Sequence, residues 1–304
     1  MSSNQLLDRP LLGIALMFGF CLLAPLGDAL AKLLGETIPL VQLLLARFAL
    51  QAALLVPLAI LTRRSIAMTP RVLKLTIIRT LLHIIGIGAM FTSLRFLPLA
   101  EAVAIAFVMP FIMLLLGRYV LDEEVGPRRL AACAVGFIGT LCVVQPSFAA
   151  VGAPALLPLV VAVVFALFML TTRQIAKDVD PISLQATSGL LACAILGIGY
   201  VVAPAHTDIF SWATPSAVEG SMMILIGTIG TVAHLLMVWS LRYAPSATLA
   251  PMQYLEIPIA TIIGFLFFRD WPNGLAFIGI CITIGAGLYV VYREHRVPSV
   301  AKAV

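Results

Sequence analysis

Residues 93–98 read SLRFLP, and 147 positions further on residues 240–245 read SLRYAP. In each copy a proline closes a short polar break and a long apolar run follows, LAEAVAIAFVMPFIMLLL from Leu99 and SATLAPMQYLEIPIATIIGFLFF from Ser246. The correspondence extends outward in both directions. Ala100 lies opposite Ala247, Pro110 opposite Pro258 after a one-residue offset, and GFIGTLCVV at 136–144 opposite TIGAGLYVV at 283–291. Upstream, Ala31-Lys32 before Pro39 and Gln42 is echoed by Ala176-Lys177 before Pro181 and Gln185. Internal repetition of this kind divides the chain into two related halves, 1–146 and 147–304.

Composition gives each half its solvent. The 304 residues are 62% hydrophobic and 11% charged, with a mean hydropathy of +1.09, too little polar surface for a soluble domain of this length. A membrane span needs about 20 apolar residues, and such runs recur at 10–30, 40–61, 72–93, 97–118, 129–146, 154–173, 182–203, 217–241, 245–268 and 274–292. Lipid offers the backbone no hydrogen-bond partners, and the runs lack the alternation of barrel strands. The expectation is an all-α integral membrane protein of ten transmembrane helices. Five spans per half is an odd number, so the second half starts on the opposite side and runs inverted. Inverted repeats are a common architecture of secondary transporters; a duplication that merely built a stable bundle is the alternative.

The formal net charge of +5 could point to nucleic acid, but its distribution points to the membrane instead. With the N-terminus inside, Arg9, Arg63, Arg64, Arg71, Lys74, Arg118, Arg128, Arg129, Arg173, Lys177, Arg242, Arg293, Arg296 and Lys302 fall on one side, against Lys32, Arg95 and Arg269 on the other. The positive-inside rule then places both termini in the cytoplasm, for a multi-pass protein of the bacterial inner membrane. Cys21, Cys133, Cys142, Cys193 and Cys281 all fall within spans and form no CxxC pattern, so neither a disulfide framework nor a metal site is expected. The N-terminal run faintly imitates a cleavable signal, but Asp28 and the length of the run favour an uncleaved first helix.

The ten-span layout, the paired SLRxxP segments, AEAVAIAFVMP at 100–110 and the following LLLGRYVLDEE resemble the drug/metabolite transporter superfamily in its EamA-repeat branch. The resemblance covers essentially the whole chain. GDALAKLLG at 27–35, ARF at 46–48, Arg79 and above all APMQYLEIPIA at 250–260 are similar to bacterial carriers of S-adenosylmethionine and, less closely, of riboflavin. It implies a carrier without cofactor, acting on a small-molecule solute within the lipid bilayer. It also implies that the eighth helix lines the cavity and that the second, with Arg47, stands further away in a structural pair.

Ionisable groups at membrane depth cost roughly 2.5–3.5 kcal/mol each on insertion scales and are functional candidates. Glu256 lies eleven residues after Pro245, about 16 Å along a helix, near the midplane and beyond reach of either surface. It is read as a ligand for solute or proton, or else as the partner of a buried base such as Arg47 or Arg79. Gln253 shares its face one turn away, and Tyr254 flanks it. Pro251 and Pro258 leave carbonyls 247 and 254 without helical donors, and Pro110 repeats the break in the other half, so Pro110 and Pro258 are candidate hinges or simple packing kinks. Arg79 either grips a solute carboxylate or snorkels to the cytoplasmic surface, with His83 at i+4 on its face. His234 is a candidate in the eighth span, and Trp239 would serve an aromatic solute together with Tyr254 and Phe107. Glu101 is read as a complement to a helix dipole, and Asp28 with Lys32 as an i,i+4 ion pair at the rim. Gly136, Gly139, Gly279 and Gly285 give the fifth and tenth spans close-packing surfaces, assigned to scaffolding, with a homodimer contact as a second use.

Of the competing classes, an intramembrane enzyme finds no HExxH, GxSxG or paired deep aspartates, and an ATP-driven pump finds no Walker A sequence. The reading is a secondary transporter of a small polar metabolite, an amino acid derivative or an S-adenosylmethionine-like solute; riboflavin or another vitamin is the alternative. The charge asymmetry makes a direct prediction: reporter fusions after Val304 behave as cytoplasmic and fusions within 204–216 as external. Active alkaline phosphatase at the C-terminus would contradict it.

Overall fold

A computed structural model describes residues 9–120, 127–202 and 208–296. Among these residues the regular structure is entirely helical. The helices are α1 (Pro10–Leu34), α2 (Leu40–Leu61), α3 (Pro70–Ser93), α4 (Leu99–Ala106), α5 (Met109–Val120), α6 (Pro127–Val151), α7 (Leu157–Ile175), α8 (Pro181–Val202), α9 (Ala217–Tyr243), α10 (Ser246–Leu249), α11 (Glu256–Phe268) and α12 (Gly274–Arg296). Local chemistry marks their starts. Prolines open α1, α3 and α8, where a missing N–H is no loss. Thr69 caps α3 through Val72 N–H, and Ser216 with Glu219 forms a capping box on α9.

Among the described residues eight segments, Leu99–Val120 among them, are long and apolar enough to cross a bilayer; the apolar stretches Met252–Phe268 and Gly274–Ala286 are shorter. Two runs expected as single helices are broken. The run through Pro110 splits at Phe107–Val108, between α4 and α5. The run through Pro258 splits further, with a 3-10 stretch, Ala250–Leu255, between α10 and α11. The cause is the same in both: Pro110 and Pro258 sit in the first turn of the second half-helix and lack the N–H that would continue the i→i−4 ladder, so the turns across the breaks close through shorter i→i−3 bonds, Val108 N–H to Ile105 O at 3.5 Å and Glu256 N–H to Gln253 O. The breaks touch, with Phe107 and Tyr254 ring centroids 5.5 Å apart.

Lateral packing pairs α1 with α9, α3 with α7, α2 with α8 and α6 with α12. Polar contacts between connections gather at two ends. At one, Arg64 pairs with Asp180, Arg242 donates to Val179 O at 3.3 Å, and Arg9 N–H donates to Tyr243 O at 3.0 Å. At the other, Lys32 donates to Leu94 O and Leu97 O at 3.2 and 2.6 Å, Arg95 to Ile38 O at 3.2 Å, and Gln42 brackets the Ala213 backbone.

The small residues of α6 and α12 face each other within the chain. A Cβ on Gly139 would lie 2.7 Å from Gly279 O and overlap Thr283 Oγ1, whereas Gly285 has open space around it. Overpacking a close contact of this kind costs about 1–3 kcal/mol. Gly139→Val is therefore expected to lower the thermal unfolding midpoint in detergent by several degrees, while Gly285→Ala leaves it unchanged; equal midpoints would contradict the packing.

Candidate functional site

A cavity lies where the two helix breaks meet. Its walls come from five elements and the break residues. Phe20, Ala24 and Asp28 follow one face of α1 at i, i+4 and i+8, and Gly86, Ile87, Met90 and Phe91 line it from the last turns of α3. Val103, Ala106, Phe107 and Met109 bracket the first break, Val161 and Phe165 belong to α7, His234 to α9, and Glu256 is the first residue of α11. These positions favour the end of the bundle that carries Lys32 and Arg95.

The polar groups in this apolar space are few. Glu256 Oε1 is buried without a hydrogen-bond partner, and the Cys21 thiol donates to Met252 O at 3.6 Å. Asp28 is close enough for its charge to act on Glu256. Two carboxylates lining one apolar cavity are each costly when charged and unaccompanied. A proton or a cation relieves them, and the rings of Phe20, Phe91, Phe107 and Phe165 offer a cation favourable faces.

Behind the wall lies a second polar layer. Arg47 Nη2 is 3.0 Å from His234 Nδ1, and the Gly230 carbonyl is also 3.0 Å from that nitrogen. A guanidinium only donates, and a charge-assisted bond is about twice as strong as a neutral one. Nδ1 therefore accepts from Arg47 and the ring proton is carried on Nε2, which has no protein partner. Arg47 also acts electrostatically on Asp28. His83 stacks on Phe168 at 4.5 Å and lies 4.4 Å from the His234 ring.

Several sequence expectations fall elsewhere. Arg79 neither snorkels nor meets Glu256. It is fully buried on Phe168, and its Nε, Nη1 and Nη2 donate to Thr172 Oγ1, Ser188 Oγ and Gln185 Oε1 at 2.7–2.8 Å, tying α3 to α7 and α8. Gln253 keeps the face expected for it but sits one turn below Glu256, about 6 Å deeper, against Met169 and Met17. Tyr254 packs on Phe107 with its hydroxyl toward Gly136. Trp239 packs on Leu55, Ala59 and Ile182, away from the cavity. Glu101, in the first turn of α4, accepts from Ser147 Oγ at 2.5 Å as well as complementing the dipole. Asp28 does not pair with Lys32: the lysine serves the carbonyls of Leu94 and Leu97 in the connection between α3 and α4, and Asp28 turns into the cavity. The Phe20-Ala24-Asp28 spacing on one helical face was the available signal for it.

A family model described as "EamA-like transporter family" matches residues 11–145 and 153–293. A riboflavin transporter of Rhizobium johnstonii is 28% identical over 218 residues, covering 72% of this chain and 70% of that protein. S-adenosylmethionine uptake transporters of Rickettsia prowazekii and Rickettsia bellii are 22% and 24% identical, covering 96% and 90% of this chain and 97% and 90% of theirs. A solved crystal structure, 18% identical, superposes with a TM-score of 0.67 over 95% of this chain and 98% of its own.

The separation of Asp28 from Lys32 is testable. Lys32→Met is expected to cost about 1–2 kcal/mol of stability through the two lost charge-assisted bonds with solute affinity unchanged. Asp28→Asn is expected to lower uptake tenfold or more with normal stability; matched stability losses in both variants would restore the rim pair.

Proposed function

Since the chain belongs to the EamA-like transporter family, we propose that it is a secondary carrier of a small metabolite bearing a cationic centre, of the S-adenosylmethionine class. The carried solute meets Asp28 and Glu256 with its positive charge, and a planar group lies among the phenylalanines. His234, oriented by Arg47, offers a donor to an acceptor on the same solute. The observation that carries this reading is the composition of the cavity wall: two carboxylates, four aromatic rings and no guanidinium among its lining residues.

The transport cycle follows from two inverted five-helix repeats, 1–146 and 147–304, rocking about the broken helices at Pro110 and Pro258. Several features support ten crossings. Exchange of the halves turns the α1–α9 contact into α7–α3 and returns α2–α8 and α6–α12 to themselves. The contacts between connections fall into two sets, each joining ends that alternate crossing would place on one side. Ser246–Phe268, with its 3-10 stretch at a longer rise, reaches about 37 Å and α12 about 34 Å, more than the ~30 Å hydrocarbon layer. The end bearing Arg9, Arg64 and Arg242 is then cytoplasmic, with both termini, in a bacterial inner membrane.

Glu256→Gln tests the reading, since it keeps the shape and removes the titratable charge. The variant is expected to insert and fold normally yet lose at least nine-tenths of labelled S-adenosylmethionine uptake, at every pH. Uptake at the wild-type rate would refute a transport role for the carboxylate. A neutral, flat solute would need the phenylalanines alone, so riboflavin uptake insensitive to Glu256→Gln would favour the riboflavin reading that the Rhizobium relative suggests.

A further inference from the structure

The core below the cavity differs from the cavity in one respect. Toward the end that carries Arg9 and Arg242, six buried methionines, Met17, Met109, Met113, Met169, Met237 and Met252, pack together from α1, α5, α7, α9 and the 3-10 stretch. Gln253 lies among them, fully buried. Among the described residues its amide nitrogen meets only thioether sulfurs, Met169 at 3.0 Å and Met17 at 3.9 Å, and its carbonyl oxygen has no partner. Thioether sulfur is a weak acceptor, and a buried amide left so poorly paired is unfavourable. A partner that arrives only in another state of the molecule would satisfy it.

The internal repeat identifies that state. The 147-residue spacing that sets Arg95 opposite Arg242 carries the cavity residues Gly86, Met90 and Phe91 onto Ala233, Met237 and Val238. The 145-residue spacing that sets Lys32 opposite Lys177 carries Ala24 onto Met169 and Phe20 onto Phe165. Phe20 and Phe165 stack on one another at 6.3 Å, across the junction of the halves. Ala233, Met237, Val238 and Met169 all lie in the methionine cluster. By the same spacings Ile87 falls on His234 and Phe20 on Phe165, all four lining the cavity, so part of its wall maps onto itself at the junction of the halves and part, Gly86, Met90, Phe91 and Ala24, has its image in the filled core.

We propose that the methionine cluster around Gln253 is a second solute-contact site, the closed counterpart of the cavity, which opens toward the Arg9–Arg242 end when the first cavity closes. It rests on the carrier reading, because a static bundle has no second state. Gln253 gives the solute one donor and one acceptor, suited to an amino, amide or carboxylate group. The methionines give an unbranched, polarisable wall that can repack around solute and close again without a fixed shape.

Two measurements test this. In proteoliposomes, with S-adenosylmethionine as the probe, the half-saturation concentration of Gln253→Leu is expected to rise about tenfold at the Arg9–Arg242 face, the effect of one lost hydrogen bond in a desolvated site, and to stay unchanged at the opposite face. Equal weakening at both faces, or none at either, would overturn the proposal. The second measurement needs no transported solute and holds even if Gln253→Leu folds poorly. Met237→Cys, treated from the Arg9–Arg242 face with a charged thiol reagent, is expected to react at least ten times faster than Ala59→Cys, which is as deeply buried in α2, five residues from Arg64 as Met237 is from Arg242. Equal rates would overturn the second site. Wild-type protein that exchanges no S-adenosylmethionine, while Met237→Cys still reacts fast, would reject the solute assigned above and uphold the opening.

Discussion

A carboxylate inside the hydrocarbon layer must have a proton, a cation or water, and most of this architecture can be derived from how that need is met at Glu256. Two prolines in corresponding places interrupt two helices, and the interruptions pack against each other through Phe107 and Tyr254. The break makes Glu256 the first residue of a half-helix rather than a mid-helix residue, so its carboxylate sits at a helix N-terminus, where negative charge is favoured. The same break opens the space into which Asp28 turns. Irregular backbone at this depth is tolerated where it lines a cavity, and here it does.

The surrounding polar groups follow different rules according to distance from that space. Arg79 is wholly buried, and the three bonds described for it go to two hydroxyls and an amide rather than a carboxylate; its role is to hold three helices together. Arg47 stands nearer and works through His234, whose free nitrogen is fixed as a donor by the guanidinium behind it. Lys32 and Arg95 close helix ends at the rim by serving backbone carbonyls. These four cations build the frame, and the carboxylates of Asp28 and Glu256 line the cavity.

The fold was legible in the sequence to the extent that apolar length and repetition could carry it. The helical runs, the paired prolines and the exceptional position of Glu256 all came from local patterns. Asp28 was misplaced because an i,i+4 Asp–Lys pair is a sound reading for an exposed helix, and nothing local shows that the lysine has carbonyls of the α3–α4 connection to serve. Arg79 was drawn toward solute because its neutral partners lie on helices more than ninety residues away in sequence. Gln253 keeps the face and the one-turn spacing read from the sequence, and the 3-10 stretch, which keeps i and i+3 aligned, only lengthens the step along the axis. Trp239 offered no periodic signal to distinguish the cavity from the cluster behind it.

The central claim is that a cationic solute and the Glu256 carboxylate meet in the cavity between the two breaks. Dicyclohexylcarbodiimide modifies carboxyl groups in apolar surroundings, and mass spectrometry of the digested protein locates the product. The account predicts modification at Glu256 that saturating S-adenosylmethionine suppresses and riboflavin does not. Modification that proceeds at the same rate with and without S-adenosylmethionine would contradict it.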